Sequence, residues 1–294
     1  MFRSGFVTVI GRPNVGKSTL LNQLIGEKIS IISDKAQTTR NKIHLVYTDD
    51  RMQAVFIDTP GIQMPKNNLG TYMLEASRST LEEVDLITFM VDTSEEIGKL
   101  DTYILTELRK VDTPIILLIN KIDLLEGHDA SALVEKYEAM GMFKKVIPIS
   151  AKDGINLEEY LEDIYESLDE GPMYYPEDMI TDQPERNIVS EIIREKVLLN
   201  MFEEVPHGIF VEILSMKERE GKNLVDIEAN LYVEQKSHKG MVIGKGGSML
   251  KTIGSQARKD IERLLDTRVH LNIWVKIAKD WRKKEQRVKD FGYR

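Results

Sequence analysis

The chain has 294 residues, a net charge of −8 and no cysteine. The length predicts roughly two domains, and the lack of cysteine excludes a disulfide framework and a thiolate metal site. No apolar run reaches the ~18 residues that a membrane-spanning helix requires, and the N-terminal residues lack the pattern of a signal peptide. We therefore expect a cytoplasmic protein.

The first part of the chain alternates short apolar runs with amphipathic segments. The apolar runs predict strands at 6–10, 43–47, 54–57, 86–91, 115–119 and 146–149. The amphipathic segments predict helices at 17–25, 72–81, 100–110, 132–140 and 157–167. This alternation favours an α/β fold with a mostly parallel sheet covered on both faces. Ligands of such sheets bind beyond the carboxyl ends of the strands, where the motifs described next lie.

A glycine-rich loop, Gly-Arg-Pro-Asn-Val-Gly-Lys-Ser, lies between the first predicted strand and the first predicted helix. It matches the phosphate-binding loop G-x-x-x-x-G-K-[ST] in full. Backbone N–H groups of such a loop point at the phosphates, the lysine neutralises their charge and the last hydroxyl binds Mg²⁺. The predicted phosphate-binding residues are Gly11, Arg12, Pro13, Asn14, Val15, Gly16, Lys17, Ser18 and Thr19.

Two further segments belong to the predicted phosphate site. Asp58-Thr59-Pro60-Gly61 follows the third strand, where Asp58 can hold Mg²⁺ and Gly61 can bring a backbone N–H to the γ-phosphate. The polar segment 33–40 predicts a loop that senses the γ-phosphate through a Mg²⁺-binding threonine, either Thr39, which we favour, or Thr38.

Asn120-Lys121-Ile122-Asp123 and Ser150-Ala151-Lys152 follow the fifth and sixth strands and resemble the base-reading elements of the GTPase superfamily. One carboxylate, that of Asp123, can accept both the ring N–H and the exocyclic amine of guanine. Adenine lacks this pair, so the site favours GTP over ATP. The predicted base-reading residues are Asn120, Lys121, Asp123, Ser150, Ala151 and Lys152.

The predicted catalytic residues are Lys17, Thr39 and Gly61. Ile62 stands where many GTPases have a water-positioning glutamine, so we expect slow intrinsic hydrolysis. The asparagine of the loop, together with this apolar residue, resembles a group of GTPases that use K⁺ in place of an arginine finger. Asn14 would then be a K⁺ ligand; the alternative is that Asn14 only tightens the loop.

The second part of the chain differs from the first in charge. Residues 186–294 contain 22 Lys/Arg against 16 Asp/Glu, whereas the remaining residues carry −14. The basic excess indicates either an anion-binding domain or a solvated lysine-rich face. A proline-rich stretch predicts a linker. We predict a domain at 1–170, a linker at 171–185 and a second domain at 186–294.

The second domain contains a G-x-x-G loop, Gly244-Lys245-Gly246-Gly247, between an apolar pair and a helix. KH domains use such a loop to clamp about four single-stranded nucleotides, and the alternative is a glycine loop that only caps the helix. The predicted order α-β-β-α-α-β resembles a type II KH domain. The predicted RNA-binding residues are Ile243, Gly244, Lys245, Gly246, Gly247, Ser248 and Lys251.

The order of these motifs resembles the Era family over nearly all of the chain. The resemblance implies an α/β P-loop GTPase domain followed by a smaller α+β type II KH domain. It also implies a GTP- and Mg²⁺-dependent switch that binds small-subunit ribosomal RNA near its 3′ end and assists assembly of the small ribosomal subunit. Some members attach loosely to the inner face of the cell membrane. We expect a monomer.

Two other functions remain open from the sequence. One is an RNA chaperone or mRNA-binding regulator in which GTP turnover times the release of RNA. The other is a membrane-associated signalling GTPase whose basic segment 276–294 contacts lipid.

Overall fold

The first part of the chain folds around a six-stranded sheet with the order β2-β3-β1-β4-β5-β6. The strands are β1 Arg3–Ile10, β2 Ile43–Thr48, β3 Met52–Asp58, β4 Leu86–Asp92, β5 Ile115–Asn120 and β6 Lys145–Ile149. β2 pairs antiparallel with β3, and the other pairs are parallel. This arrangement confirms the predicted mostly parallel sheet. The structure is a computed structural model that describes residues 1–33, 35, 37–202 and 205–293.

Helices follow most strands of this sheet, as the alternating pattern predicts. They are α1 Lys17–Ile25, α2 Asn68–Ser79, α3 Lys99–Leu108, α4 Ser131–Glu138 and α5 Leu157–Ser167. Every residue of β3 and β5 is buried, as expected for strands with helices on both faces. Because these strands run parallel, their carboxyl ends lie at the same end of the sheet, and the polar loops that follow them meet there.

The proline-rich stretch after α5 runs along the antiparallel edge of the sheet. The buried side chain of Gln53 accepts hydrogen bonds from the N–H groups of Tyr174 and Tyr175 and donates to the Tyr175 carbonyl at 2.9 Å. The Val46 N–H donates to the Ile180 carbonyl at 2.9 Å. A buried amide needs such partners, so Gln53 fastens this stretch to β3 and Val46 fastens it to β2.

The second sheet has the order β7-β8-β9, with an antiparallel and then a parallel pair. Its elements are α6 Glu185–Asn200, β7 Phe210–Glu218, β8 Leu224–Val233, α7 Lys236–Ile243, α8 Ser248–Leu265 and β9 Arg268–Ile277. This is the predicted α-β-β-α-α-β order, which is confirmed. The pattern of apolar residues predicts the first helix of this domain over 186–204. The structure has it at Glu185–Asn200, and Glu203 and Glu204 lie outside the described residues.

The basic C-terminal segment is folded against the second sheet, which the sequence analysis did not predict. Trp281 is fully buried and its indole N–H donates to the Gly208 carbonyl at 2.9 Å. Phe291 stacks on Phe210 with 4.0 Å between ring centroids. A short helix, α9 Glu285–Asp290, lies between these aromatic residues. No helix in the described part of the chain is long and apolar enough to cross a membrane.

The chain forms two compact units. The first contains Met1–Ile32, Thr39–Pro65 and Gly70–Asp182. The second contains Gln183–Arg294 together with two short segments from earlier in the chain, Ser33–Thr38 and Lys66–Leu69.

Candidate functional site

The phosphate loop depends on two glycines whose side-chain positions are occupied by neighbours. Gly16 has φ 111°, and a Cβ there would lie 2.2 Å from Asn120 Nδ2. A Cβ at Gly11 would lie 2.3 Å from the Met90 carbonyl oxygen. Because neither position accepts a side chain, the loop stays close to the ends of β4 and β5. It leads directly into α1, whose N-terminus favours anions.

Lys17 is buried at the base of this loop. Its ammonium donates to the carbonyl oxygens of Gly11 at 3.1 Å and Arg12 at 3.2 Å. Burial lowers the pKa of Lys17 to about 8, although the nearby Asp58 carboxylate opposes the shift. A bound phosphate would supply the negative charge that a buried ammonium requires.

Three oxygen-bearing side chains converge beside Lys17. The Ser18 hydroxyl lies 3.2 Å from the Thr39 hydroxyl and donates to Asp58 Oδ2 at 3.3 Å. Asp58 is fully buried, its Oδ1 has no hydrogen-bond partner among the described residues, and burial raises its pKa. Hydroxyl and carboxylate oxygens with unused lone pairs suit Mg²⁺, which takes few protein ligands and completes its shell with phosphate and water.

The two candidate threonines of the polar loop are placed differently. Thr39 is buried next to Ser18, whereas the Thr38 hydroxyl donates to the Lys35 carbonyl at 2.6 Å. The position of Thr39 beside Ser18 therefore favours Thr39 over Thr38 as the Mg²⁺ ligand.

Across the described residues, no cluster of three or more His, Cys, Asp or Glu side chains is arranged to hold a metal.

The segment after Asp58 approaches the loop through its backbone. A Cβ at Gly61 would lie 3.3 Å from Lys17 Nζ. The Ile62 N–H donates to the Gly11 carbonyl at 3.2 Å, and the Ile62 side chain is buried in the apolar core. The Thr59 hydroxyl donates to the Val9 carbonyl at 3.1 Å, so it is bound to β1.

Asn120 joins the phosphate loop to the predicted base-reading segments. Its Nδ2 donates to the Val15 carbonyl at 2.7 Å, and its Oδ1 accepts from the Ala151 N–H at 2.9 Å. The Ser150 hydroxyl donates to Asp123 Oδ1 at 2.8 Å. Asn120 thus fixes the phosphate loop relative to the Ala151 backbone, and Ser150 fixes the Asp123 carboxylate beside them.

Four other predicted residues of the nucleotide site are half-buried or exposed. Asn14 is exposed with φ 68°, and Lys121 has φ 73° at the turn after β5. Lys152 is exposed next to the buried Ala151. Pro13 is in the loop with its backbone N 3.2 Å from the Cβ position of Gly61.

The G-x-x-G loop of the second unit is shaped by positive φ angles at all three glycines. A Cβ at Gly244, with φ 75°, would lie 2.7 Å from the Met249 Cβ. Gly246 and Gly247 have φ 59° and 82° and face open space. Lys245 is exposed beside them. The loop therefore leaves room for a phosphate at the N-terminus of α8.

A groove of about 400 Å³ starts at this loop and runs between α8 and β9. Lys251, which the sequence analysis named, lines it together with Arg258, His270 and Asn272, which it did not. The alternation along β9 and the spacing of basic residues along α8 are the signals that could have identified these three. Ile243 is half-buried and does not line the groove. A larger cavity of about 800 Å³ lies by the β7–β8 turn, and no G-x-x-G loop lines it.

The segment before Thr39 is held within the second unit. Arg194 of α6 is buried, and its guanidinium donates to the carbonyls of Gln37, at 3.3 Å, and Thr38. Glu191 pairs with the same guanidinium at 2.5 Å. The sequence analysis named neither Arg194 nor Glu191, because the sequence of an amphipathic helix does not show which residues its charged side chains contact.

Comparisons with known proteins match two family models in succession along the chain. A family model described as a 50S ribosome-binding GTPase matches residues 6–121, and a KH domain model matches residues 204–282. The chain is 55% identical to GTPase Era of Alkaliphilus oremlandii (strain OhILAs) over 292 residues, 99% of each chain. It is 52% identical to GTPase Era of Clostridioides difficile (strain 630) over 294 residues, which are 100% of this chain and 99% of that one.

Two solved structures are similar over the whole length. The crystal structure of an Era in complex with MgGDPNP and nucleotides 1506–1542 of 16S ribosomal RNA has a TM-score of 0.95 and 40% identity, covering 100% of this chain and 99% of the other. A variant of Aquifex aeolicus Era bound to GDP and AlF₄⁻ also has a TM-score of 0.95 and 40% identity, with 99% of each chain covered.

Proposed function

Because the chain belongs to the Era family of GTPases, we propose that it is a GTP-driven switch that binds the 3′ end of small-subunit ribosomal RNA. In this role it assists assembly of the small ribosomal subunit. The observation that carries the proposal is the coexistence, in one chain, of a complete phosphate and guanine site and a G-x-x-G groove.

The chain's own residues account for nucleotide binding. Lys17 neutralises the β- and γ-phosphates, and Asp123, held by Ser150, accepts the two guanine N–H donors. Ser18, Thr39 and Asp58 would hold Mg²⁺, which supplies positive charge on the phosphate oxygens. Loss of the γ-phosphate removes the partner that orders the loop of Thr39, so hydrolysis changes the conformation of this loop.

Hydrolysis in this site lacks a side chain that positions water at residue 62. Ile62 is buried in the apolar core and offers no hydrogen bond. We propose that K⁺ supplies charge at the phosphates, bound by Asn14, which is exposed on the phosphate loop with φ 68°. A cation at this position would do what an arginine finger does in other GTPases.

The second unit supplies the RNA-binding surface. Lys245 and the open glycines of its loop accept a phosphate of the RNA backbone, and the groove between α8 and β9 takes the following bases. The Era that was crystallised with nucleotides 1506–1542 of 16S ribosomal RNA has the same fold over its whole length. This similarity supports the same RNA region as the ligand.

A peripheral membrane contact is the weaker alternative. Within the basic C-terminal segment, Arg282 pairs with Glu234 at 2.6 Å and Lys289 pairs with Glu285 at 2.6 Å. Charges that are already paired contribute less to the attraction of an anionic lipid surface. RNA binding through the groove requires none of these residues.

Crosslinking in cells followed by sequencing of the attached RNA tests the proposal. We expect reads concentrated at the 3′ end of small-subunit ribosomal RNA. Reads scattered over messenger RNA would support the chaperone or regulator function instead. Little crosslinked RNA, together with binding to vesicles that contain anionic lipid, would support the membrane-associated signalling function.

A further inference from the structure

A cluster of charged side chains links the phosphate loop to the base-reading motif within the first unit. Arg12 Nη2 donates to Asp92 Oδ1 at 2.5 Å, and Arg12 Nε lies 3.2 Å from Asp101 Oδ2. Lys121 Nζ lies 3.8 Å from Asp92 Oδ2. The Asp92 carboxylate therefore serves a residue of the phosphate loop and a residue of the base-reading motif.

The topology of the sheet explains why Asp92 reaches both motifs. Asp92 is the last residue of β4, and its register partner on β5 is Asn120, which directly precedes Lys121. On its other side β4 pairs with β1, which leads into the phosphate loop. A carboxylate at the end of the middle strand thus stands between the two loops.

Asp101 approaches Arg12 from α3, and its burial is unfavourable for a carboxylate. Its side chain is only 6% exposed, and its Oδ1 has no hydrogen-bond partner among the described residues. Burial raises the pKa of Asp101 although the Arg12 charge opposes this shift. Asp101 lies in the first turn of α3, where the helix N-terminus favours a carboxylate, and Arg12 is the ion-pair partner of this buried charge.

Arg12 also shapes the loop through its backbone. Its carbonyl oxygen accepts a hydrogen bond from Lys17 Nζ at 3.2 Å. The side chain of Arg12 and the orientation of the buried lysine are therefore joined through a single residue. Holding the guanidinium restricts the conformations open to Arg12, whose carbonyl holds Lys17.

We propose that Asp92 and Asp101 are positioning residues for guanine-nucleotide binding. They fix the phosphate loop by holding the Arg12 side chain, and Asp92 also orients Lys121 towards the base. This inference rests on the proposed roles of the phosphate loop and of Lys121 in nucleotide binding.

The competing role for the cluster is that Arg12 binds a phosphate directly and the carboxylates only restrain it when no nucleotide is bound. The two roles predict opposite effects of neutralising Asp92. If Asp92 positions the loop, Asp92→Asn weakens nucleotide binding. If Arg12 is a phosphate ligand, the same change leaves more positive charge for the phosphates and binding is unchanged or tighter.

Asp129 provides a matched control for the loss of a carboxylate at a turn. Asp92 Oδ1 accepts hydrogen bonds from the N–H and hydroxyl of Ser94 at 3.1 and 2.6 Å. Asp129 Oδ1 accepts from the N–H and hydroxyl of Ser131 at 2.9 and 2.6 Å. Both carboxylates thus form the same local turn, but only Asp92 contacts Arg12.

The test measures the rate of GDP release and the melting temperature of the full chain and of its Asp92→Asn, Asp101→Asn and Asp129→Asn variants. We expect Asp92→Asn to release GDP about tenfold faster, the size of one charge-assisted hydrogen bond. Asp101→Asn gives a smaller increase, because Arg12 keeps its contact with Asp92. Asp129→Asn leaves the release rate unchanged.

Unchanged or slower GDP release by Asp92→Asn would overturn the inference. Failure of the unmodified chain to bind GDP would instead overturn the proposed nucleotide site, so the two failures are distinguishable. A second comparison uses Arg12→Ala as the background. Because Asp101 acts only through Arg12, Asp101→Asn should add no further effect there. An equal effect in both backgrounds would contradict the positioning role.

Discussion

Asn120 shows what a residue pattern can and cannot predict. The sequence placed it in the predicted base-reading motif. The structure shows that its side chain is hydrogen-bonded to the backbone of Val15 and Ala151. The same side chain occupies the space that a Cβ at Gly16 would need. Its motif was predictable because residue type and spacing were both specific. Its contacts were not, because they depend on how three separated loops meet at one edge of the sheet.

Asp123 determines the base in our account, and a change of its donor–acceptor pattern should change the nucleotide. Asp123→Asn should weaken GTP binding and improve the binding of xanthosine triphosphate, whose 2-oxo group accepts a hydrogen bond from the new amide. The measurement is a competition titration with both nucleotides. Asp153→Asn is the control, since this exposed carboxylate only approaches Ser150 at 3.4 Å. An unchanged preference in Asp123→Asn would remove Asp123 from the base site.

Asn14 carries the proposed dependence on K⁺. GTP hydrolysis should be faster in K⁺ than in Na⁺ at equal ionic strength, because in our proposal K⁺ bound by Asn14 supplies the charge at the phosphates. Asn14→Ala should abolish this difference while GTP binding is retained. The steady-state release of phosphate in the two salts measures both effects. Equal rates of the unmodified chain in K⁺ and Na⁺ would contradict the role of K⁺.

Strands and helices with a clear hydrophobic period were predicted from the sequence. Segments whose structure depends on contacts with distant residues were not. The predicted strands of the first sheet and the α1 and α5 bounds agree closely with the structure, because buried apolar runs and amphipathic faces are local signals. The attachment of the proline-rich stretch to Gln53 was missed, since prolines and tyrosines give no strand period. The folding of the basic C-terminal segment was also missed, because the lysines and arginines around Trp281 concealed the aromatic residues that anchor it.

The G-x-x-G loop is the element on which RNA binding depends in our account. Replacing Lys245 and Gly246 by Asp places two carboxylates where RNA phosphates would bind. RNA affinity should collapse, and the slope of log affinity against log salt should fall by about 0.7 for each lost phosphate contact. Basal GTP hydrolysis should not change. Titration of a labelled RNA from the 3′ end of 16S ribosomal RNA at several salt concentrations measures the effect.

The β7–β8 turn offers a control with the same chemistry at another position. Gly221 has φ 69° with open space around its Cβ position, and the adjacent Lys222 is exposed. The variant with Asp at both positions introduces the same charge and the same backbone strain as the change at Lys245 and Gly246. RNA binding should survive in this control. Full RNA binding by the G-x-x-G variant would mean that its loop is only structural.

At the scale of the whole molecule, two features are informative: the distribution of charge along the chain, and the chain segments that make up each compact unit. The acidic first part and basic second part were evident from residue counts. The inclusion of Ser33–Thr38 in the second unit was not, because it depends on the buried contact of Arg194 with the carbonyls of Gln37 and Thr38. This segment directly precedes Thr39, the proposed Mg²⁺ ligand. A single peptide bond therefore joins this segment of the second unit to the residue that we propose as a Mg²⁺ ligand.

Such continuity of the chain is useful for a switch only if nucleotide and RNA share binding free energy. If GTP orders the loop of Thr39, the adjoining segment of the second unit is constrained, and RNA affinity depends on the bound nucleotide. Thermodynamic reciprocity requires that RNA change the affinity for GTP by the same factor, typically about 5–150-fold.

The most direct test of this account is a titration of 16S ribosomal RNA 3′-end RNA into the protein with GDP or with a non-hydrolysable GTP analogue. Nucleotide titrations with and without RNA complete the cycle. We predict that RNA affinity differs between the two nucleotide states and that the nucleotide titrations give the same factor. Equal RNA affinity in both states would contradict an equilibrium switch and would leave a GTPase and an RNA-binding domain that act independently.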